Sequence, residues 1–173
     1  PIGPEEFRAR VAGPPRRRPS VLVTFDDGYR DYAELAYPVL ADLGIPALVF
    51  LATAYIDDPW RMFWWDKLSR GLELAGPMDV ELPWQPGQQA SVRTGDDRER
   101  LLCLVKRHLK RLPNAAKEDL VERLLERLGV SDAALRTTRR MMTWDEVRAV
   151  SGLTRWGGHT ATHPILSQVD EVT

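Results

Sequence analysis

The apolar positions of the 173-residue chain fall into blocks of two different periods. The run VLVTF, residues 21–25, is short, continuous and rich in β-branched side chains, which predicts a buried strand. It stops at Asp26-Asp27-Gly28. After Tyr29, the residues Ala36, Val39, Leu40 and Leu43 recur on one face of a helix that Gly44 ends, with Pro38 in the first turn of its regular part. Residues 45–52, IPALVFLA, predict a second buried strand. Strand, helix and strand in this order, with strands that do not alternate, point to a parallel βαβ unit.

Beyond residue 57 the period changes. Residues 58–66, DPWRMFWWD, place Trp60, Trp64 and Trp65 beside Phe63. Such a cluster either lines a carbohydrate groove by stacking or anchors a loop or helix, and anchoring is the commoner use. Residues 77–97 carry Pro, Gly, Gln and Asp and predict a loop or weak hairpin. Residues 98–112 form an amphipathic helix with Leu101, Leu104, Val105, His108 and Leu112 on one face, stopped by Pro113. Asn114 is placed to cap a further helix whose apolar face is Leu120, Val121, Leu124, Leu125 and Leu128, closed by Gly129. Thr143-Trp144-Asp145-Glu146 fits a capping box. Its helix ends at Gly152, residues 153–156 are a third strand, and Gly157-Gly158 turn the chain into His159-Thr160-Ala161-Thr162-His163-Pro164. The first nineteen residues, with the proline- and arginine-rich stretch AGPPRRRP, predict a linker, and the run Arg16–Arg18 a solvated one.

Composition narrows the classes. Lys and Arg number 24 against 25 Asp and Glu, which leaves a net charge of −1 and no electrostatic case for a nucleic-acid or anionic-membrane partner. Hydrophobic residues at 43% and charged residues at 28% describe a globular chain, and no apolar run reaches the ~18–20 residues that span a bilayer. One cysteine, Cys103, excludes an intrachain disulfide and a cysteine-rich zinc site. No signal peptide is visible in this stretch, and the compartment is left open, with a cytoplasmic one slightly favoured. The chain begins with Pro1 and stops within a polar stretch, residues 168–173, and is read as a piece of a longer one.

Chemistry concentrates at two strand ends. In parallel α/β folds the loops leaving the carboxyl ends of strands converge on one face. Asp26-Asp27 leave one strand, and His159 and His163 follow another. Two imidazoles and one carboxylate make a divalent-cation site with open positions, and the other carboxylate of the adjacent pair is then free to act as a base. Gly28 permits the tight turn that brings both aspartates to the rim. A zincin helix would require Glu after the first histidine, where Thr160 stands. A non-haem iron triad would place its carboxylate close to the first histidine, whereas the aspartates lie far upstream.

The segments Thr24-Phe25-Asp26-Asp27-Gly28 and His159-Thr160-Ala161-Thr162-His163-Pro164, in this order, resemble the first two motifs of the polysaccharide deacetylase (NodB-type carbohydrate esterase) family. Residues 143–147, TWDEV, and 63–66, FWWD, are similar to segments of bacterial members with a helical insertion. The resemblance implies an α/β fold, a distorted (β/α) barrel incomplete in this chain. Residues 20–56 and 141–173 would be the first part of the catalytic domain, and residues 57–140 a mostly helical insertion. A whole barrel needs ~250 residues, so two or three strands fit here and seven or eight do not.

The implied activity is metal-dependent hydrolysis of an acetyl group on an N- or O-acetylated polysaccharide or glycan. Asp26 would be the general base, and Asp27, His159 and His163 the metal ligands. The ion would be zinc, with cobalt, manganese, nickel or iron as alternatives. The family's later motifs, which supply an arginine loop and the catalytic acid, have no counterpart in the ten residues after His163. The competing non-enzymatic reading is a degenerate carbohydrate-binding or structural module of the same fold. Which glycan is bound and which oligomer forms are not encoded in these motifs. The isolated chain is expected to bind metal weakly and to turn over substrate poorly; efficient acetate release from an acetylated chitooligosaccharide, abolished by Asp26→Asn, would contradict this.

Overall fold

The computed structural model of the chain describes residues 1–14 and 18–169. Arg16 and Arg17 of the arginine run, and residues 170–173 of the terminal stretch, lie outside the described residues. The chain divides into two compact units, Pro1–Arg61 with Arg139–His163 and Met62–Thr138 with Pro164–Thr173. No helix among the described residues is long and apolar enough to cross a membrane.

The first unit is built on a three-stranded parallel sheet in the order β1 (Val23–Phe25), β2 (Ala47–Leu51), β5 (Thr154–Gly158). The fold is therefore mixed α/β with a parallel sheet. Val23 pairs with Ala47 and Phe25 with Val49 on one side of β2, and Ala47 pairs with Thr154 through Leu51 with Gly158 on the other. As the central strand, β2 buries Ala47, Val49 and Leu51 completely or nearly so, which is why its sequence is continuously apolar. Around it pack Tyr32, Ile56, Met142, Val147 and Val150. The phenol of Tyr32 shares a 2.5 Å hydrogen bond with the Thr154 hydroxyl at the start of β5. Burial pushes that phenol's pKa upward, so it stays protonated inside the core.

Four local expectations are corrected. Residues 1–19 are not simply a linker, because Pro4–Val11 forms helix α1. Pro4 at its first position, Glu5 and Glu6 in its first turn and Arg8 and Arg10 in its last turn complement the helix dipole. Strand β1 starts at Val23 rather than Val21, since the Val21 carbonyl accepts a bond from the Ile2 N–H instead of joining the sheet. The helix after β1 opens with a π-helical turn, Tyr32–Ala36, before regular α2, Tyr37–Asp42. The wider turn lines up Tyr32, Ala36 and Leu40 towards the core and leaves Val39 and Leu43 exposed. Gly157 and Gly158 belong to β5 rather than to a turn. A Cβ on Gly157 would stand 2.6 Å from the Phe50 ring of β2, so glycine is what lets the two strands pair there.

After β2 comes the short helix α3, Thr53–Asp57. In the same unit α8, Trp144–Ala149, opens with the expected capping box, Glu146 N–H to Thr143 Oγ1 and Thr143 N–H back to the Glu146 carboxylate. The Arg139 guanidinium donates to both Glu146 oxygens at 2.6 and 2.7 Å, and to the Met141 carbonyl.

The second unit is helical with one hairpin. It comprises α4 (Trp64–Leu74), the antiparallel pair β3 (Asp79–Glu81) and β4 (Gln89–Ser91), α5 (Gly95–Leu109), α6 (Asn114–Arg127) and α7 (Asp132–Leu135). Its core takes Leu101, Val105 and Leu109 from α5 and the expected Leu120, Val121, Leu124, Leu125 and Leu128 from α6 and its end. Helix α5 begins three residues early because Thr94 and Asp97 make a capping box. Asn114 is the first residue of α6 rather than its cap: Pro113 sets the entry, and the Asn114 side chain accepts a bond from the buried Lys117 ammonium. Lys117 also reaches Gln168, whose amide donates to the Lys110 carbonyl. His108 stacks on Trp84 with ring centres 4.6 Å apart. Phe63 is buried and stacked on Trp65 at 4.4 Å, with Trp64 edge-on to Trp65, so these rings anchor α4.

The ion pair in the first unit sets a pH dependence. Its bonds, that with Arg139 foremost, hold the Glu146 carboxyl down at about 2, against an ordinary 4.5. A depressed folded pKa stabilises the native state fully above the unfolded value, and this contribution disappears as pH falls from about 4.5 towards 2. Glu146→Gln should lose ~1–2 kcal/mol at pH 7 after allowance for solvent screening, and the gap from wild type should close by about pH 2 in denaturant titrations. An unchanged gap across that range would contradict the assignment.

Candidate metal centre

Two loops and the end of one strand build the site. The Asp27 carbonyl accepts a 3.2 Å bond from the Ala52 N–H, and the His159 N–H donates to the Leu51 carbonyl at 2.8 Å. The end of the central strand β2 thus ties down the residues that leave both of its neighbours. From the other side of the turn, the Gly28 carbonyl accepts from the Met142 N–H at 3.0 Å. The first turn of α3 then fixes the histidine loop, with Thr53 N–H donating to the Thr160 carbonyl and Ala54 N–H to the Ala161 carbonyl. Within that loop the Thr160 hydroxyl accepts from the His163 N–H at 2.9 Å.

The backbone is strained at the same residues. Among the described residues the non-glycine positions with left-handed φ are Asp27 at 73°, Thr160 at 63° and His163 at 55°. Each such position costs ~1–3 kcal/mol and persists only where surrounding bonds enforce it. Gly28 follows at φ 91°, and a Cβ there would lie 2.8 Å from Leu51 and 2.9 Å from Ile56. The Asp-Gly turn is therefore required by both conformation and space.

These turns aim three side chains at one point. Asp27 Oδ1 lies 3.3 Å from His163 Nε2 and 3.5 Å from His159 Nε2, and one donor atom from each residue falls within 4.8 Å of the others. The imidazole rings meet edge to face at 4.6 Å. Asp27 Oδ1 is buried and has no hydrogen-bond partner. Burial raises the Asp27 pKa; the imidazoles of His163 and His159 pull it down, and the neighbouring Asp26 adds to the rise. A buried carboxylate oxygen without a donor, facing two ring nitrogens, is the environment a bound cation would satisfy. Two nitrogens and one oxygen fit zinc and the other borderline divalent ions.

Asp26 is exposed and stands beside the three-residue group without belonging to it. Of the four sequence-derived candidates, the structure therefore joins Asp27, His159 and His163 and places Asp26 next to them. The roles of Thr53, Ala54 and Thr160 in holding the loop had no signal in the sequence, because they act through backbone groups and one short hydroxyl.

A family model described as polysaccharide deacetylase matches residues 13–81. The match covers less than half of the chain. It contains Asp26, Asp27 and Gly28, whereas His159 and His163 lie beyond the match and join it only in three dimensions. Among solved structures, the chain is similar to the deacetylase domain of BpsB from Bordetella bronchiseptica, with 18% identity and a TM-score of 0.41 over 93% of this chain and 38% of that one. The chain thus spans well under half the length of that protein's solved chain. No curated protein matches the chain significantly.

The matched segment should tolerate no side chain at its Asp-Gly turn. Gly28→Ala should cost about 2 kcal/mol or more, through the positive φ and the overlap with Leu51 and Ile56. A melting temperature within a degree of wild type would show that the turn relaxes freely.

Proposed function

We propose that the first unit is part of a metal-dependent deacetylase that removes acetyl groups from an N- or O-acetylated polysaccharide or glycan. The observation that carries this reading is the convergence of Asp27, His159 and His163 around an unsatisfied carboxylate oxygen, in a chain whose residues 13–81 match the deacetylase family. The three parallel strands are then an arc of a distorted (β/α) barrel, with the site at the carboxyl ends of its strands.

In this reading Asp27, His159 and His163 hold a divalent ion, zinc by preference of the donor set. When bound, such an ion supplies a Lewis acid for an acyl carbonyl and makes a nearby water easier to deprotonate. Asp26, exposed and adjacent to Asp27 in the chain, would serve as the acceptor for a proton from an attacking water. The hydrogen bonds of Ala52, Thr53 and Ala54 keep both histidines and the Asp-Gly turn in place, so little reorganisation is needed on ligand binding. Breaking the acyl C–N or C–O bond yields acetate and the sugar's amine or hydroxyl, and that leaving group requires a proton donor. Among the described residues no further histidine accompanies the three ligands, since His108 stacks on Trp84 within the other unit.

Calorimetric titration with zinc separates the roles. Asp27→Asn, His159→Ala and His163→Ala should each weaken zinc binding by about tenfold or more, whereas Asp26→Asn should change it by about threefold at most and remove the residual acetate release. Zinc affinity insensitive to the Asp27 and histidine changes would overturn the proposal.

A further inference from the structure

The two loops that supply Asp27, His159 and His163 are tied to the end of β2, and each has a second support away from it. The Asp27-Gly28 turn runs into a short antiparallel ladder with residues 140–142. Tyr29 bridges Met141 there, the Met142 N–H donates to the Gly28 carbonyl at 3.0 Å, and the Arg30 N–H donates to the Arg140 carbonyl at 2.7 Å. Met141 and Met142 are fully buried. The Arg139 guanidinium fixes their strand by donating to the Met141 carbonyl and to Glu146 of α8. The histidine loop has its second support in the first turn of α3, through the Thr53 and Ala54 N–H groups.

One hydrogen bond joins the two supports. The indole N–H of Trp144, the first residue of α8, donates to Oδ1 of Asp57, the last residue of α3, at 2.8 Å. Trp144 is 37% exposed, so water can reach the ring and burial does not force this pairing. A carboxylate acceptor makes the bond charge-assisted and stronger than a neutral one. It closes a circuit of contacts that runs from Gly28 through Met142 to Trp144, across to Asp57 and α3, and on to Thr160 and Ala161. The left-handed residues Asp27, Thr160 and His163 lie at the two ends of that circuit. Strained positions of this kind persist only where bonds from outside enforce them.

We propose that Trp144 and Asp57 are positioning residues for the metal centre. Their bond locks the support of the Asp27 turn to the support of the histidine loop, and so sets the spacing of Asp27 from His159 and His163. Neither side chain is a ligand. Two loops anchored at β2 alone remain free to open away from each other, and a second tie beyond the strand ends removes that freedom. The three donor atoms are then held together before an ion arrives, which lowers the cost of binding it. The effect on metal affinity rests on the reading of Asp27, His159 and His163 as ligands, whereas the bracing of the two loops does not.

The test combines amide hydrogen exchange of the metal-free chain with zinc titration. Three variants are compared: Trp144→Phe, which keeps a ring and loses the N–H; Asp57→Ala; and Asp57→Asn, whose amide oxygen still accepts. In Trp144→Phe and Asp57→Ala, exchange at the Ala54 and Met142 amides should quicken about fivefold or more relative to Val49 in the middle of β2. Zinc affinity should fall about tenfold in both, and Asp57→Asn should recover most of each loss. Exchange at Ala54 and Met142 unchanged, or quickened only as much as at Val49, would overturn the brace. Zinc affinity equal to wild type in a folded Trp144→Phe would overturn it as well. If the wild-type chain itself takes up no zinc, the metal-ligand reading falls, and the exchange pattern alone decides the brace.

Discussion

The site depends on one bend in the backbone, at Asp27-Gly28. Leaving β1, the chain enters left-handed φ at two consecutive residues, and this turns the Asp27 carboxylate towards the loop that follows β5. The bend is unfavourable for aspartate and is held from outside: by Ala52 on the Asp27 carbonyl, by Met142 on the Gly28 carbonyl, and by Leu51 and Ile56, which fill the space a larger residue would need.

The middle position of β2 gives that bend its counterpart. Because β1 and β5 both pair with β2, one strand's end receives the loops of both neighbours, and the Asp27 and His159 backbones bond to consecutive residues, Ala52 and Leu51. Close strand pairing is needed for this, and Gly157 under Phe50 supplies it. The result concentrates a buried carboxylate and two imidazoles within one coordination distance, at a cost in strain and desolvation. Strain and unsatisfied polar groups at one locus are the usual signature of a site kept for ligand binding rather than for stability.

Sequence and structure agree where a residue acts through its own side chain or its period. The continuous apolar run of β2, the Thr143–Glu146 capping box, the α6 leucine face and the Asp-Asp-Gly and His-x-x-x-His pairs were all legible. They diverge where a neighbour decides. The π-helical turn at Tyr32 rotated the apolar face away from Val39 and Leu43, and no local pattern in residues 32–36 announces it. Helix α1 was hidden behind the proline-rich stretch, although its charge order was present in the sequence. The three tryptophans near residue 60 looked like one cluster, yet Trp60 belongs to one unit and Trp64 and Trp65 to the other. Trp144 was read only as part of a helix start, because its bond to Asp57 spans 87 positions in the chain.

The most direct measurement is the zinc X-ray absorption spectrum of the loaded chain, compared with that of Asp27→Asn. The account expects a first shell with two imidazole nitrogens at about 2.0–2.1 Å and a carboxylate oxygen at about 2.0–2.2 Å. In Asp27→Asn the oxygen contribution should fall and zinc should be lost at lower chelator concentration. A shell without imidazole scattering, or one identical in both proteins, would contradict the assignment of Asp27, His159 and His163 as the metal centre.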